Sequence, residues 1–176
     1  MDARRVDLTS SMVVVAAGGR TEGADAVLAG AGSLELALPL VHRAVGGGTC
    51  VPADGLLLLT HRGSCVGDPV SEVSRWLRDA AAAAIAAGVP PDRLLVDAGL
   101  DTKPWGEALV LLRATAVLAP AGTPLVVATL GDAWRDVGTR AGAQALAVAQ
   151  GCRVLLTADP VGARRVADVV LAVERA

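Results

Sequence analysis

Leu94-Leu95-Val96-Asp97-Ala98-Gly99, running straight into Leu100-Asp101-Thr102-Lys103, is the stretch that decides the fold. Three apolar residues lead into a carboxylate, then a glycine, then a loop that ends in a lysine. A buried parallel strand carrying a polar group at its carboxyl end has this pattern. Open α/β sheets and (β/α) barrels build their sites at such strand ends.

Other runs of the same kind flank it. Met12-Val13-Val14-Val15, Ser33 to Leu38, Leu56-Leu57-Leu58-Leu59-Thr60, Pro124 to Ala128 and Arg153 to Thr157 read as further strands. Between them lie helical patterns. Asp68-Pro69 and Asp159-Pro160 each set a capping carboxylate before a proline at the first helical position. Val70, Val73, Trp76, Leu77 and Ala80 give the first of these helices an apolar face, and Gly88 with Pro90-Pro91 ends it. Further helices are expected at about 107–118 and 140–150. Two shorter ones are expected at Thr21 to Leu28 and Pro39 to Ala44. The order is strand then helix, six times, which means parallel strands joined by right-handed crossovers. Periodicity alone leaves an open three-layer sheet and a part of a barrel equally available.

Residues 1–10 read as a flexible arm and 11–176 as a single domain. Hydrophobic residues make up 53% of the chain and charged ones 19%, which excludes a disordered chain. The net charge is −2 and no basic stripe is present, so nucleic acid is not an expected partner. There is no Phe and no Tyr, so the core must be built from small aliphatic side chains. Cys50, Cys65 and Cys152 have no metal-ligand spacing and read as reduced thiols of a cytoplasmic protein. No stretch approaches a membrane span. No metal or other cofactor is expected.

With its neighbours, Val96-Asp97-Ala98-Gly99-Leu100-Asp101-Thr102-Lys103 resembles the Asp-Pro-Gly-x-Gly-Phe-x-Lys signature of the pterin-binding family typified by dihydropteroate synthase. Leu58-Leu59-Thr60-His61-Arg62-Gly63 is similar to that family's Met-His-x-Arg-Gly strand end. Ala86 to Val89, through Pro91-Asp92-Arg93, is similar to its approach to the central strand, and Gly122 to Val127 to its seventh strand. The resemblance covers about residues 11–176 and matches roughly the last six βα units. It implies a partial or modified TIM-type (β/α) barrel with about six parallel strands.

The departures bear on activity. Where the family grips the pterin ring with an Asp, this chain has Ala16 followed by Ala17. Glu35-Leu36 stands for an Asn-Asp pair, Leu130-Gly131-Asp132 for Ser-Arg-Lys, and Leu156-Thr157-Ala158 for Arg-x-His. The family's reaction displaces pyrophosphate from a pterin carbon by p-aminobenzoate, and its leaving group needs preorganised cationic donors. Losing one such donor costs about 10²–10³ in rate.

Asp97, Lys103, His61 and Arg62 persist as ligand-binding candidates, and Glu35 and Asp132 would add an acidic mouth. Each has a plainer reading. Asp97 bonds loop amides, His61 and Arg62 lie on a loop without ligand, and Lys103 makes a surface ion pair with Asp101 or Asp97. Asp159 is explained by its cap alone.

The expectation is a non-catalytic dihydropteroate synthase-like protein acting as a companion subunit or homo-oligomer. The alternative is a repurposed enzyme that holds a pterin-like or other heterocycle through Asp97, His61 and Lys103. A barrel shortened to six units would leave the strands at Val13 and Val154 with unpaired edges for a partner to cover.

Overall fold

In the computed structural model, which describes residues 12–17, 22, 24–28, 40–44 and 56–176, seven parallel strands form a closed ring. They are β1 (Val13–Ala16), β2 (Ala26–Leu28), β3 (Leu40–Ala44), β4 (Leu56–Thr60), β5 (Leu94–Asp97), β6 (Leu125–Ala128) and β7 (Val154–Thr157). Each pairs with the next in sequence, and β7 returns to β1. The helices among the described residues are α1 (Pro69–Ala86), α2 (Trp105–Arg113), α3 (Thr115–Leu118), α4 (Val137–Ala149) and α5 (Pro160–Glu174). They follow β4, β5, β6 and β7, so this part of the chain is a modified (β/α) barrel.

Closure overturns the expectation of open edges. Val13 pairs with Val154, and the register holds through Ala16 against Thr157. The N–H of Val13 reaches the carbonyl of Arg153, and that of Ala17 the carbonyl of Thr157, each at 2.8 Å. The two strands that the six-unit count leaves bare are each other's neighbours. A ring has no edge to protect.

The strands beyond the expected set come from segments whose local pattern points to helix. Ala26–Leu28 falls within the stretch expected to be helical and pairs with both β1 and β3. Leu40–Ala44, expected as a short helix after Pro39, pairs with β2 and β4. In both, neighbours on two sides satisfy the backbone, and tertiary pairing overrides a weak local preference. The expected strand at Ser33 to Leu38, Glu35 within it, the arm at 1–10, the Gly46-Gly47-Gly48 break and Cys50 all lie outside the described residues.

Two buried clusters divide the core. Val14, Leu57, Leu94, Val96 and Leu155 pack with Val73, Leu77, Leu111 and Ala147 of the helices, which makes this the layer between strands and helices. The other is made of strand residues, among them Val13, Val15, Leu58, Leu95, Val126 and Leu156, with Ala17 and Leu130 packed against it. It fills the ring itself. Successive strand residues alternate between the two layers, and that alternation fixes where polar groups at the strand ends point.

The helix starts are capped as their sequences predict. The Asp68 carboxylate accepts from the Ser71 N–H at 2.8 Å, and that of Asp159 from the Gly162 N–H at 3.1 Å. Asp136 caps α4 in the same way through Thr139. The segment expected as one helix over 107–118 is broken into α2 and α3 at Ala114. Cys152 is buried, its thiol pushed up to about 12 by burial, and it belongs to the packing. Among the described residues, no helix is long and apolar enough to cross a membrane.

Candidate functional site

Asp97 ends β5 two residues beyond Leu95, and Thr60 ends β4 two residues beyond Leu58, so both face the interior of the ring at its carboxyl end. They are a cross-strand pair. Thr60 Oγ1 donates to Asp97 Oδ2 at 3.1 Å, and the Gly99 N–H donates to Asp97 Oδ1 at 2.8 Å. Asp97 is 0% exposed. A carboxylate so placed among aliphatic side chains persists only with such donors around it.

Gly99 makes this arrangement possible. Its φ of 71° and ψ of 37° are left-handed, and a Cβ there would sit 1.9 Å from the His61 carbonyl oxygen. That close approach locks the end of β4 to the end of β5, where the His61 N–H also bonds the Asp97 carbonyl at 2.9 Å. The Gly99 carbonyl in turn accepts from the N–H and hydroxyl of Thr102, each at 2.9 Å, and so shapes the loop leading to Lys103.

His61 and Lys103 meet on the other side of the strands. The His61 ring packs edge-on against Trp76 of α1, with centroids 5.2 Å apart and planes at 88°. Lys103 is 8% exposed rather than lying on the surface. Its Nζ donates to His61 Nδ1 at 2.8 Å and to the Gly63 carbonyl at 2.6 Å. An ammonium has no lone pair, so Nδ1 is the acceptor and the ring proton of neutral His61 sits on Nε2. Burial, and then the Lys103 charge, hold the His61 pKa below its ordinary value against the opposing pull of Glu72 and Glu107.

The loop after β4 is pinned by those same helices. Glu107 of α2 accepts from the Cys65 N–H at 3.0 Å. Glu72 of α1 accepts from the N–H groups of Val66 and Gly67, and these bonds hold its carboxyl below the usual range. Burial raises the Cys65 thiol, so it is not an activated nucleophile.

The remaining candidates are dispersed. Arg62 is exposed. Asp132 lies on the surface, paired with Arg135 at 2.8 Å. Thr157 points to the helix layer, where Gln144 Nε2 donates to it at 3.4 Å and to Thr129 at 2.9 Å. The sequence does not single out Thr60, Glu72, Trp76 or Glu107 as site residues. For Thr60 it carries a signal: alternation from Leu58 places it beside Asp97, and places His61 across the strand from both. The barrel also carries His42 and Arg43 on β3, in register with Leu57 and Leu58. Among the described residues, no cluster of three His, Cys, Asp or Glu side chains is placed to hold a metal ion.

No protein-family model and no curated protein matches the sequence. Solved structures do. Dihydropteroate synthase from Xanthomonas albilineans, in complex with 7,8-dihydropteroate, superposes with a TM-score of 0.80 at 20% identity, covering 97% of this chain and 96% of that one. The Burkholderia cenocepacia enzyme, also complexed with 7,8-dihydropteroate, gives 0.77 at 17% identity over 95% and 93%. That of Coxiella burnetii, in complex with pteroic acid, gives 0.75 at 15% identity over 95% and 94%. The ring of strands with Asp97 at its carboxyl end is a dihydropteroate synthase-like fold.

Proposed function

We propose that this chain is a dihydropteroate synthase-like protein that keeps a carboxylate anchor for a pterin-like heterocycle and does not carry out the synthase's displacement reaction. The observation that carries this is the separation of the two retained groups. Asp97 faces the interior of the ring, while the Lys103 amine is taken up by His61 and the Gly63 carbonyl on the helix side. A carboxylate can accept paired hydrogen bonds from the amidine-like edge of a heterocycle. The similar structures from Xanthomonas and Burkholderia hold 7,8-dihydropteroate, which supports a ligand of that class. Displacing pyrophosphate further needs cations preorganised on the leaving group. A lysine bonded to a neutral imidazole and a loop carbonyl does not supply one.

Incubation of the purified chain with a dihydropterin pyrophosphate and p-aminobenzoate tests the second half of this reading. No product above the uncatalysed background is expected. Turnover on the order of 1 s⁻¹ or faster, within the usual enzymic range, would contradict it. The alternative of a repurposed enzyme using Asp97, His61 and Lys103 together requires Lys103 first to leave His61.

Association, with a second copy or a companion subunit, is favoured by a different observation. Val117 of α3 is 66% exposed and Val173 of α5 is 71% exposed, with Val110 and Val169 also open on α2 and α5. Because the ring closes on itself, these helix faces rather than a strand edge are the surfaces a partner would cover. Light scattering is expected to give a mass above that of one chain, lowered by Val169→Glu combined with Val173→Glu. A monomer at every concentration would remove this reading.

A further inference from the structure

We infer that His61 and Lys103 form an acid-released latch on the loop 61–67 beside the mouth of the ring. The latch depends on one lone pair. His61 Nδ1 accepts from the Lys103 ammonium at 2.8 Å, and the same ammonium clamps the Gly63 carbonyl at 2.6 Å. Protonation of His61 puts a hydrogen on Nδ1 and a positive charge against the ammonium. The bond is then lost, the two cations repel, and Lys103 must withdraw.

Among the described residues, three charged groups bear on the His61 ring. Lys103, from the segment after β5, opposes the imidazolium, and so does burial among Trp76 and the strand ends. Glu72 from α1 and Glu107 from α2 favour it, and Arg62 is exposed next to it in the chain. The opposing influences prevail, so His61 is neutral at neutral pH and takes up its proton below its ordinary value.

Withdrawal of Lys103 has a defined local consequence. The loop 61–67 has side-chain fastenings at Gly63 through Lys103, at Cys65 through Glu107, and at Val66 and Gly67 through Glu72. Losing the first frees the part of the loop nearest Thr60 and Asp97. It also frees the Lys103 amine to meet a ligand, without depending on what that ligand is. The unfolded chain binds the His61 proton more readily than the folded one. Stability therefore falls as pH drops below about 6.5 and levels off beneath the lowered folded value.

The experiment is a titration of the ¹⁵N-histidine-labelled chain from about pH 8 to about pH 4 by NMR. The chain has two histidines, so the His61 signal is assigned by its loss in His61→Gln. The expected result is a His61 midpoint below about 6.5 that moves upward in Lys103→Met. Amide exchange in 61–67, corrected for its intrinsic pH dependence, is expected to rise about tenfold or more at that midpoint while α5 is unaffected. The rise is expected to be absent in His61→Gln. A midpoint at or above about 6.5, one that Lys103→Met does not raise, or loop exchange without a step at the midpoint would overturn the latch. If Lys103→Met fails to fold, the comparison of the wild type with His61→Gln still decides.

Discussion

Gly99→Ala is expected to be among the most destabilising single-methyl changes available in this chain, costing about 2–5 kcal/mol. The left-handed conformation contributes about 1–2 kcal/mol of that for a residue with a Cβ. The remainder, about 1–3 kcal/mol, is overpacking, because the new methyl group would lie 1.9 Å from the His61 carbonyl oxygen. That oxygen belongs to the backbone and cannot swing aside as the tip of a side chain would. Relief requires the end of β4 to move away from β5, which strains the His61 to Asp97 backbone bond and the Gly99 N–H bond to the Asp97 carboxylate. In thermal unfolding followed by circular dichroism, this corresponds to a drop on the order of 10 °C for a chain of this length. Gly106→Ala, inside α2 with open space around it, is the control and is expected to stay within about 1 kcal/mol of wild type. Equal effects at the two positions would mean that the contact between β4 and β5 is not as tight as described.

The strands that show plainly in the sequence are those with unbroken β-branched or leucine runs: β1, β4, β5, β6 and β7. Fully buried parallel strands have no polar side to disguise them. The capped helix starts at Asp68 and Asp159 are equally plain, since cap and proline act within one turn. β2 and β3 are hidden because three residues, Ala26–Leu28, or a segment holding His42 and Arg43, carry too little pattern of their own. Their conformation is set by the strands on either side of them rather than by their own residues. For the same reason, ring closure cannot be read locally: it depends on Val13 meeting Val154.

The candidate site divides in the same way. Asp97 at a strand end, with Gly99 to turn the chain, follows from the central stretch alone. The direction of Lys103 does not, because a lysine at the end of a loop reaches either way and its partner His61 is 42 positions distant. The alternation in β4 nevertheless contains half the answer. With Leu58 and Thr60 inside, His61 falls on the helix side, apart from Asp97.

Asp97→Asn carries the largest expected effect on ligand binding. The substitution keeps the shape of the side chain but replaces one acceptor oxygen by a donor and removes the charge. A pair of charge-assisted bonds to a heterocycle's donor edge therefore loses one member to a clash of donors. Hydrogen bonds to a charged group contribute about 1.5–3 kcal/mol each, so affinity is expected to fall by about 10- to 100-fold. The Thr60 hydroxyl and the Gly99 N–H also bond this carboxylate, so circular dichroism of the variant must first establish that the fold is kept.

Isothermal calorimetry with a reduced pterin, wild type beside Asp97→Asn, is then the direct measurement. Binding heat from the wild type, and its loss or marked weakening in the folded variant, is the result predicted here. No heat from the wild type, or equal affinity in the two proteins, would contradict the assignment of Asp97 as the anchor.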